Sequence, residues 1–285
     1  MKTNIFSTII IALLISSCSI EKSSTVIEKQ PENYVILLDL SDRLLNNGQA
    51  EQDIELICHL FDKFESTVRD NLIINSKDKF RVVIAPQEKM NINKSQMESL
   101  FYLDMSKINI AEKRKNLEKF KENIKNSLNK LYAEALCNKT KTSDFQGAHI
   151  WRYFNDYLPG DIEKDDKNRL FILSDGYLDF EPGSITKIMG EKSSSSAFLN
   201  MVRGKANWRE IIEKKDYGII AVDKPFDSLS VCLMEIYPKY ANLDETDMIQ
   251  LVWKRWLSEM NIKEMNFIPH ASIPKMKGQI DNFLN

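Results

Sequence analysis

The chain has 285 residues, with 39 Lys and Arg against 41 Asp and Glu, a formal net charge of −2, and 43% hydrophobic residues. Lys and Glu are interleaved rather than gathered into a basic block, so the charge pattern gives no footprint for nucleic acid. Its four cysteines, Cys18, Cys58, Cys137 and Cys232, include no CxxC pair. Setting Cys18 aside leaves an odd number, which excludes a disulfide scaffold as the organising principle.

At the N-terminus Lys2 precedes an apolar run from Ile5 to Ile15, followed at once by Ser16, Ser17 and Cys18. This is the order of a secretory signal, and the run is shorter than the roughly 20 apolar residues needed to cross a bilayer core of about 30 Å. The segment Leu14, Ile15, Ser16, Ser17, Cys18 resembles the lipobox of bacterial lipoproteins. The resemblance implies that residues 1–17 are a signal peptide and that Cys18, acylated, becomes the first mature residue and holds the protein on a membrane. Ser19 resembles the outer-membrane sorting class of diderm bacteria, whose inner-membrane retention signal is an Asp there. The expected location is therefore the cell envelope, lipid-anchored at the outer membrane. Residues 18–32, the lipidated Cys and a polar, charged stretch, read as a tether. The folded domain is expected over residues 33–285, about 250 residues, enough for one large core.

Tyr34 to Leu40 (YVILLDL) is a continuous apolar run that predicts a first strand buried on both faces. Ile54, Ile57, Cys58, Phe61, Phe64 and Val68 recur at steps of three and four and predict a helix, in which Cys58 is a small core residue. Arg81 to Ala85 predicts a second strand, stopped by Pro86. Residues 86–110 carry no clear pattern, with room for an edge strand and a short helix. Ala111 to Cys137 predicts a long amphipathic helix through Leu117, Phe120, Ile124, Leu128, Leu131 and Ala135, with Lys and Glu on its solvated face. After a polar break at Asn138 to Asp144, a helix is predicted from Phe145 to Leu158, closed by Pro159-Gly160. Arg169 to Ser174 is a strand candidate running into Asp175-Gly176, and Gly183 to Gly204, with Ser193 to Ser196 in a row, reads as a mobile loop at the same rim. Tyr217 to Val222 and Val231 to Ile236 predict strands, the second burying Cys232. Thr246 to Met260 predicts a helix capped by Asp244, Met265 to Ile268 a last strand, and Ile273 to Leu284 a terminal helix. Strands alternating with helices argue for a single α/β domain, doubly wound, with a mostly parallel sheet covered by helices on both faces.

In such a fold, ligands bind beyond the carboxyl ends of the strands. Three polar loops fall there or beside it: Asp39, Leu40, Ser41, Asp42, Arg43; Thr142, Ser143, Asp144; and Ser174, Asp175, Gly176. In this order they resemble the metal-ion-dependent adhesion site of von Willebrand factor A (vWA) domains, which has a DxSxS loop after the first strand, a Thr or Ser in a middle loop and an Asp after the fourth strand. The resemblance implies Mg²⁺ held by Asp39, Ser41, Ser143 and Asp175, with Thr142 as the alternative to Ser143, and a coordination position left for a partner's acidic side chain. The sequence departs from the pattern at Arg43, which stands where the family has its last Ser. Turned inward, Arg43 would pair with Asp39 or Asp175 and replace the metal's charge; turned outward, it would leave the position to water. A plainer reading has Asp39 and Asp175 capping turns or helix N-termini.

No GxSxG elbow, Walker-type phosphate loop or HExxH motif is present, and His59, His149 and His270 lie far apart. The expected function is accordingly a membrane-tethered module, not an enzyme, that docks a protein partner at the C-terminal edge of the sheet, with or without a cation. The alternatives are a metal-free structural protein of the envelope and, behind it, a hydrolase; for the former, Trp151, Trp208, Trp253 and Trp256 are candidate interface anchors, although Trp151 and Trp256 lie on helix faces that point to the core.

Overall fold

The computed structural model describes residues 29–88, 92–179, 186–240 and 244–285; the expected signal peptide and Cys18 lie outside them. In chain order the strands are β1 (Glu32–Leu38), β2 (Lys79–Ile84), β3 (Tyr102–Asp104), β4 (Lys167–Leu173), β5 (Ile188–Met189), β6 (Lys192–Ser193), β7 (Gly218–Ile219), β8 (Leu229–Ile236) and β9 (Glu264–Pro269). The helices are α1 (Gln49–Asp70), α2 (Lys94–Ser99), α3 (Lys113–Leu136), α4 (Ile150–Arg152), α5 (Leu158–Asp161), α6 (Trp208–Lys215), α7 (Glu245–Glu259) and α8 (Ile273–Leu284). None of the described helices is long and apolar enough to cross a membrane.

The main sheet has six strands in the order β3-β2-β1-β4-β8-β9, and every pairing but the antiparallel β2–β3 is parallel. Chain order reverses between β1 and β4, which makes their carboxyl ends the topological switch point of a doubly wound sheet. Alternation along the strands divides the core in two. Tyr34, Ile36 and Leu38 of β1, with Phe171 and Leu173 of β4, meet α1, α3 and α8. Val35 and Leu37, with Leu170 and Ile172, meet the layer of α4, α6 and α7. Burial of both faces explains why these strands read as unbroken apolar runs.

Several boundaries differ from the expected ones. Residues 86–110 do hold a short helix, α2, and an edge strand, β3, for which the sequence left room. Phe145 is extended, not helical; the amide of His149 donates to the carbonyl of Pro86 (2.8 Å) and the helix starts only at Ile150. It runs through a π-turn at Tyr153–Tyr157 and past Pro159-Gly160 into α5, since Pro is tolerated in a first helical turn. The predicted strand at Tyr217 to Val222 contracts to β7, which joins β5 and β6 in a small separate sheet rather than pairing with β8. Beyond it, the Ile220 amide still donates to the Ser193 carbonyl (3.0 Å), but the Ile220 carbonyl accepts from the indoles of both Trp151 (2.7 Å) and Trp256 (2.9 Å), so side chains take the place of the next ladder bond.

The four tryptophans are all buried, which removes them as interface anchors. The loop expected to be mobile is ordered over residues 186–204. Ser194 Oγ accepts from the Lys187 amide, Ser195 Oγ caps the 3-10 turn Ser196–Met201, and Ser196 Oγ accepts from Leu178 and donates to Asp179. Cys232 is buried as expected and Cys58 is half-buried; burial raises both thiol pKa values, Cys58 to about 11.

Candidate functional site

Where β1 ends, the Asp39 amide donates to the Leu173 carbonyl (3.1 Å), which keeps the first residue past β1 aligned with β4. The Asp39 carboxylate is buried. Its Oδ1 accepts from the Ser41 amide (3.0 Å), in an Asx-type turn, and its Oδ2 accepts from Ser174 Oγ (2.7 Å) at the end of β4. Ser41 then starts a 3-10 turn, Asp42–Leu45. Past β4, Asp175 Oδ1 accepts from the Tyr177 amide (3.1 Å) in a second turn of the same type.

Gly176 is the middle residue of this second turn, with φ +94°, and a Cβ there would lie 2.6 Å from Ile249 Cγ2. Its carbonyl accepts from the Trp253 indole (2.8 Å), so α7 is seated directly on the loop. Only glycine fits both the backbone conformation and the space.

Arg43 does turn inward, but neither expected carboxylate holds it. Its guanidinium is almost wholly buried and bidentate with Asp53 of α1, at 2.7 and 2.9 Å, and also donates to the Asp39 carbonyl (3.2 Å). Gln49 (2.9 Å) and the Tyr132 hydroxyl (2.8 Å) complete the Asp53 carboxylate. The planar fork of Arg suits this buried carboxylate, and the four side chains lock the Asp39 loop onto α1 and α3. The carboxylate that Arg43 pairs with is thus Asp53, in place of the expected Asp39 or Asp175.

The cation beside Asp175 is Lys239, just past β8. Its Nζ lies 3.3 Å from Asp175 Oδ2 and 3.3 Å from Asp42 Oδ1. Burial alone would lower the Lys239 pKa, but the summed attraction of Asp175, Asp42, Asp179 and Asp39 outweighs it, so the ammonium holds its proton well beyond the ordinary lysine value. Burial pushes the Asp175 carboxyl the other way from most carboxylates, up to about 7; Lys239 pulls it down and Asp39 adds to the rise.

Asp39, Ser41, Asp42, Asp175, Lys239 and Tyr240 line one cleft, and Thr142, Phe145 and Asp179 close it on its other sides. Both Thr142 and Ser143 of the middle loop are exposed, and of the two it is Thr142 that lines the cleft. Ser41 is 6% exposed, and its hydroxyl has no hydrogen-bond partner among the described residues. Deeper in the wall, the Tyr177 hydroxyl donates to Glu245 (2.8 Å), whose carboxylate is bidentate with Arg203 (2.6 and 2.9 Å). That triad fixes α7 to the rim of the cleft.

Asp39, Ser41, Thr142 and Asp175 thus bring two carboxylates and two hydroxyls into one cleft, the oxygen types that Mg²⁺ prefers. The donor set is nonetheless one short, because Arg43 brings no oxygen and is engaged by Asp53. Lys239 also already neutralises Asp175, and a divalent ion on that carboxylate would face an ammonium a few ångströms away. The residues in this arrangement do not fit a divalent cation while Lys239 stays in place. No group of three or more His, Cys, Asp or Glu residues suited to a metal occurs among the described residues.

Lys239 and Asp53 are the site residues that sequence reasoning misses. Lys239 meets Asp42 across 197 positions of chain, and it takes the parallel pairings of β1 with β4 and of β4 with β8 to bring them together. Fold and cleft together define a doubly wound, mostly parallel α/β domain with a charged cleft at its switch point. Compared with known proteins, the chain matches no protein-family model and no curated protein.

Proposed function

We propose that the protein is a lipid-anchored envelope protein of the bacterial outer membrane whose vWA-like domain docks a protein partner at this cleft, with Lys239 in the place of a bound metal ion. The observation that carries the reading is the ammonium of Lys239 held between Asp42 and Asp175 in a cleft otherwise lined as the resemblance implies. A fixed positive charge serves there as the cation of an adhesion site would: it neutralises the carboxylates without leaving the cleft. The Ser41 hydroxyl, without a hydrogen-bond partner among the described residues, and the half-exposed ring of Tyr240 then offer polar and aromatic contacts at the rim. The domain binds and does not catalyse.

The test is photo-crosslinking in intact cells with a benzophenone amino acid at Tyr240, and at Lys130 on the remote, exposed face of α3 as control. The expected result is one discrete adduct from the rim position, unchanged when divalent ions are chelated and lost in Lys239→Glu. A rim position with no adduct, or with the same adducts as the control, would sink the reading.

A further inference from the structure

The opposite edge of the sheet carries an apolar surface that the cleft does not explain. Between α1 and β2 the chain makes a turn in which Leu72 is 62% exposed and Ile74 is 54% exposed, while Ile73 between them packs on the core. Ile110, just before α3, adds a third apolar side chain, 65% exposed. Leu72, Ile74 and Ile110 line one groove with Ile108 and with Lys29 and Pro31, the point where the N-terminal chain enters the fold.

The turn is built to hold these side chains outward. Leu72 has φ +56°, a conformation that costs a non-glycine residue energy and persists only where its surroundings impose it. Its carbonyl accepts from the amides of Asn75 (2.7 Å) and Ser76 (3.3 Å). The buried ammonium of Lys113 donates to the carbonyls of Ile74 (3.1 Å) and Ser76 (2.5 Å). Asp78, wholly buried, accepts from Ser76 Oγ (2.6 Å) and from the amide of Glu32 (2.8 Å), the first residue of β1. The display of Leu72 and Ile74 is therefore wired to the start of β1. Ordered backbone behind a cluster of exposed large aliphatic side chains marks an interaction surface.

What covers it follows from the chain that leads there, and here the inference rests on the anchor reading above. Eleven peptide steps separate Cys18 from Lys29, a reach of at most about 40 Å even fully extended. An acyl anchor on Cys18 therefore keeps the groove beside the bilayer. Charge on the rim is mixed, Lys29 and Lys77 against Asp70, as suits a zwitterionic and anionic headgroup layer rather than a strongly acidic partner. We infer that this N-terminal edge rests on the lipid surface, with Leu72, Ile74 and Ile110 entering the headgroup boundary. The cleft, at the far end of β1, then points away from the membrane, about 23 Å along that strand.

The experiment uses the lipidated full chain in vesicles of phosphatidylethanolamine and phosphatidylglycerol. An environment-sensitive nitrobenzoxadiazole label is placed on Ile74→Cys, or on Lys141→Cys at the cleft end as control, each in a Cys137→Ser background because Cys137 is the exposed native thiol. The label at 74 is expected to emit at shorter wavelength and to show roughly twofold quenching by lipids with a nitroxide near the headgroup, while the label at 141 emits as in water. The mass of the N-terminal peptide and flotation with the vesicles report the anchor separately. An acylated, floating protein whose label at 74 behaves like that at 141 would overturn the inference and leave the anchor standing. Absence of acyl chains on Cys18 would overturn the anchor, and this inference with it.

Discussion

At the C-terminal edge of the central sheet, charged side chains are drawn inward and hold one another, Arg43 on Asp53 and Lys239 on Asp42 and Asp175, and the surface they leave is a polar cleft. At the N-terminal edge the charged groups also turn inward, Lys113 onto carbonyls and Asp78 onto amides, but the surface they support is aliphatic. The two edges share a device, a strained or glycine-bearing turn fixed from behind by buried polar groups, with Gly176 at one end and Leu72 at the other. The difference is what each turn points at solvent. Polar groups facing a concave switch point make a site for a specific contact, whereas exposed aliphatic groups along a turn and its shallow groove make one for a non-specific, extended surface.

The largest effect expected at the cleft end comes from Asp53→Ala, which leaves the Arg43 guanidinium buried without a carboxylate. A loss of about 3–5 kcal/mol is expected in urea unfolding; a loss below 1 kcal/mol would mean that water reaches Arg43. Next comes Gly176→Ala, expected to cost about 2–3 kcal/mol through backbone strain and overlap with Ile249. Pairing it with Ile249→Ala separates the two causes, since that change relieves the overlap but not the strain.

Third is the pH response of Asp175. Burial disfavours the charge and raises its folded pKa to about 7, above the ordinary 3.8, so the folded state holds its proton more tightly than the unfolded chain. The contribution is favourable below about 4 and is lost as pH rises to about 7. The stability of Asp175→Asn relative to the unsubstituted protein should therefore climb across that window in parallel urea titrations run with a chelator. A flat difference would show that Lys239 holds Asp175 ionised throughout.

The smallest effect, and of opposite sign, belongs to the other edge. Leu72→Asn relieves a left-handed conformation at an exposed position and should raise the melting stability by about 0.5–1 kcal/mol. A variant that destabilises would contradict the account of Leu72 as a side chain held outward rather than one that packs.

Much of this was legible in the sequence. The apolar runs of β1, β4 and β8 and the three-and-four spacing of α1, α3 and α7 mark themselves, because a strand buried on both faces and a helix buried on one leave distinct periods. Helix α8 matches its predicted limits, Ile273–Leu284. The strand expected at Tyr217 to Val222 illustrates the limit of periodicity: its apolar residues are core residues, but Trp151 and Trp256 take the Ile220 carbonyl and the ladder of β7 stops there. The first and third loops of the site were readable because each hydrogen-bonds to itself within two residues, Asp39 to Ser41 and Asp175 to Tyr177. The choice of Thr142 over the adjacent Ser143 depends on the facing of one 3-10 turn. The partners of Arg43 and Asp175 lie on other elements, and no local pattern names them.

The measurement that bears most directly on Lys239 as the cleft's cation is calorimetric titration of Mg²⁺ into the full chain and into Lys239→Ala. The expected result is no binding heat for the unsubstituted protein at millimolar Mg²⁺, and binding in Lys239→Ala that a further Asp175→Ala removes. Binding by the unsubstituted protein that Asp39→Ala and Asp175→Ala each abolish would contradict it, and would mean that Lys239 swings away to admit a metal ion.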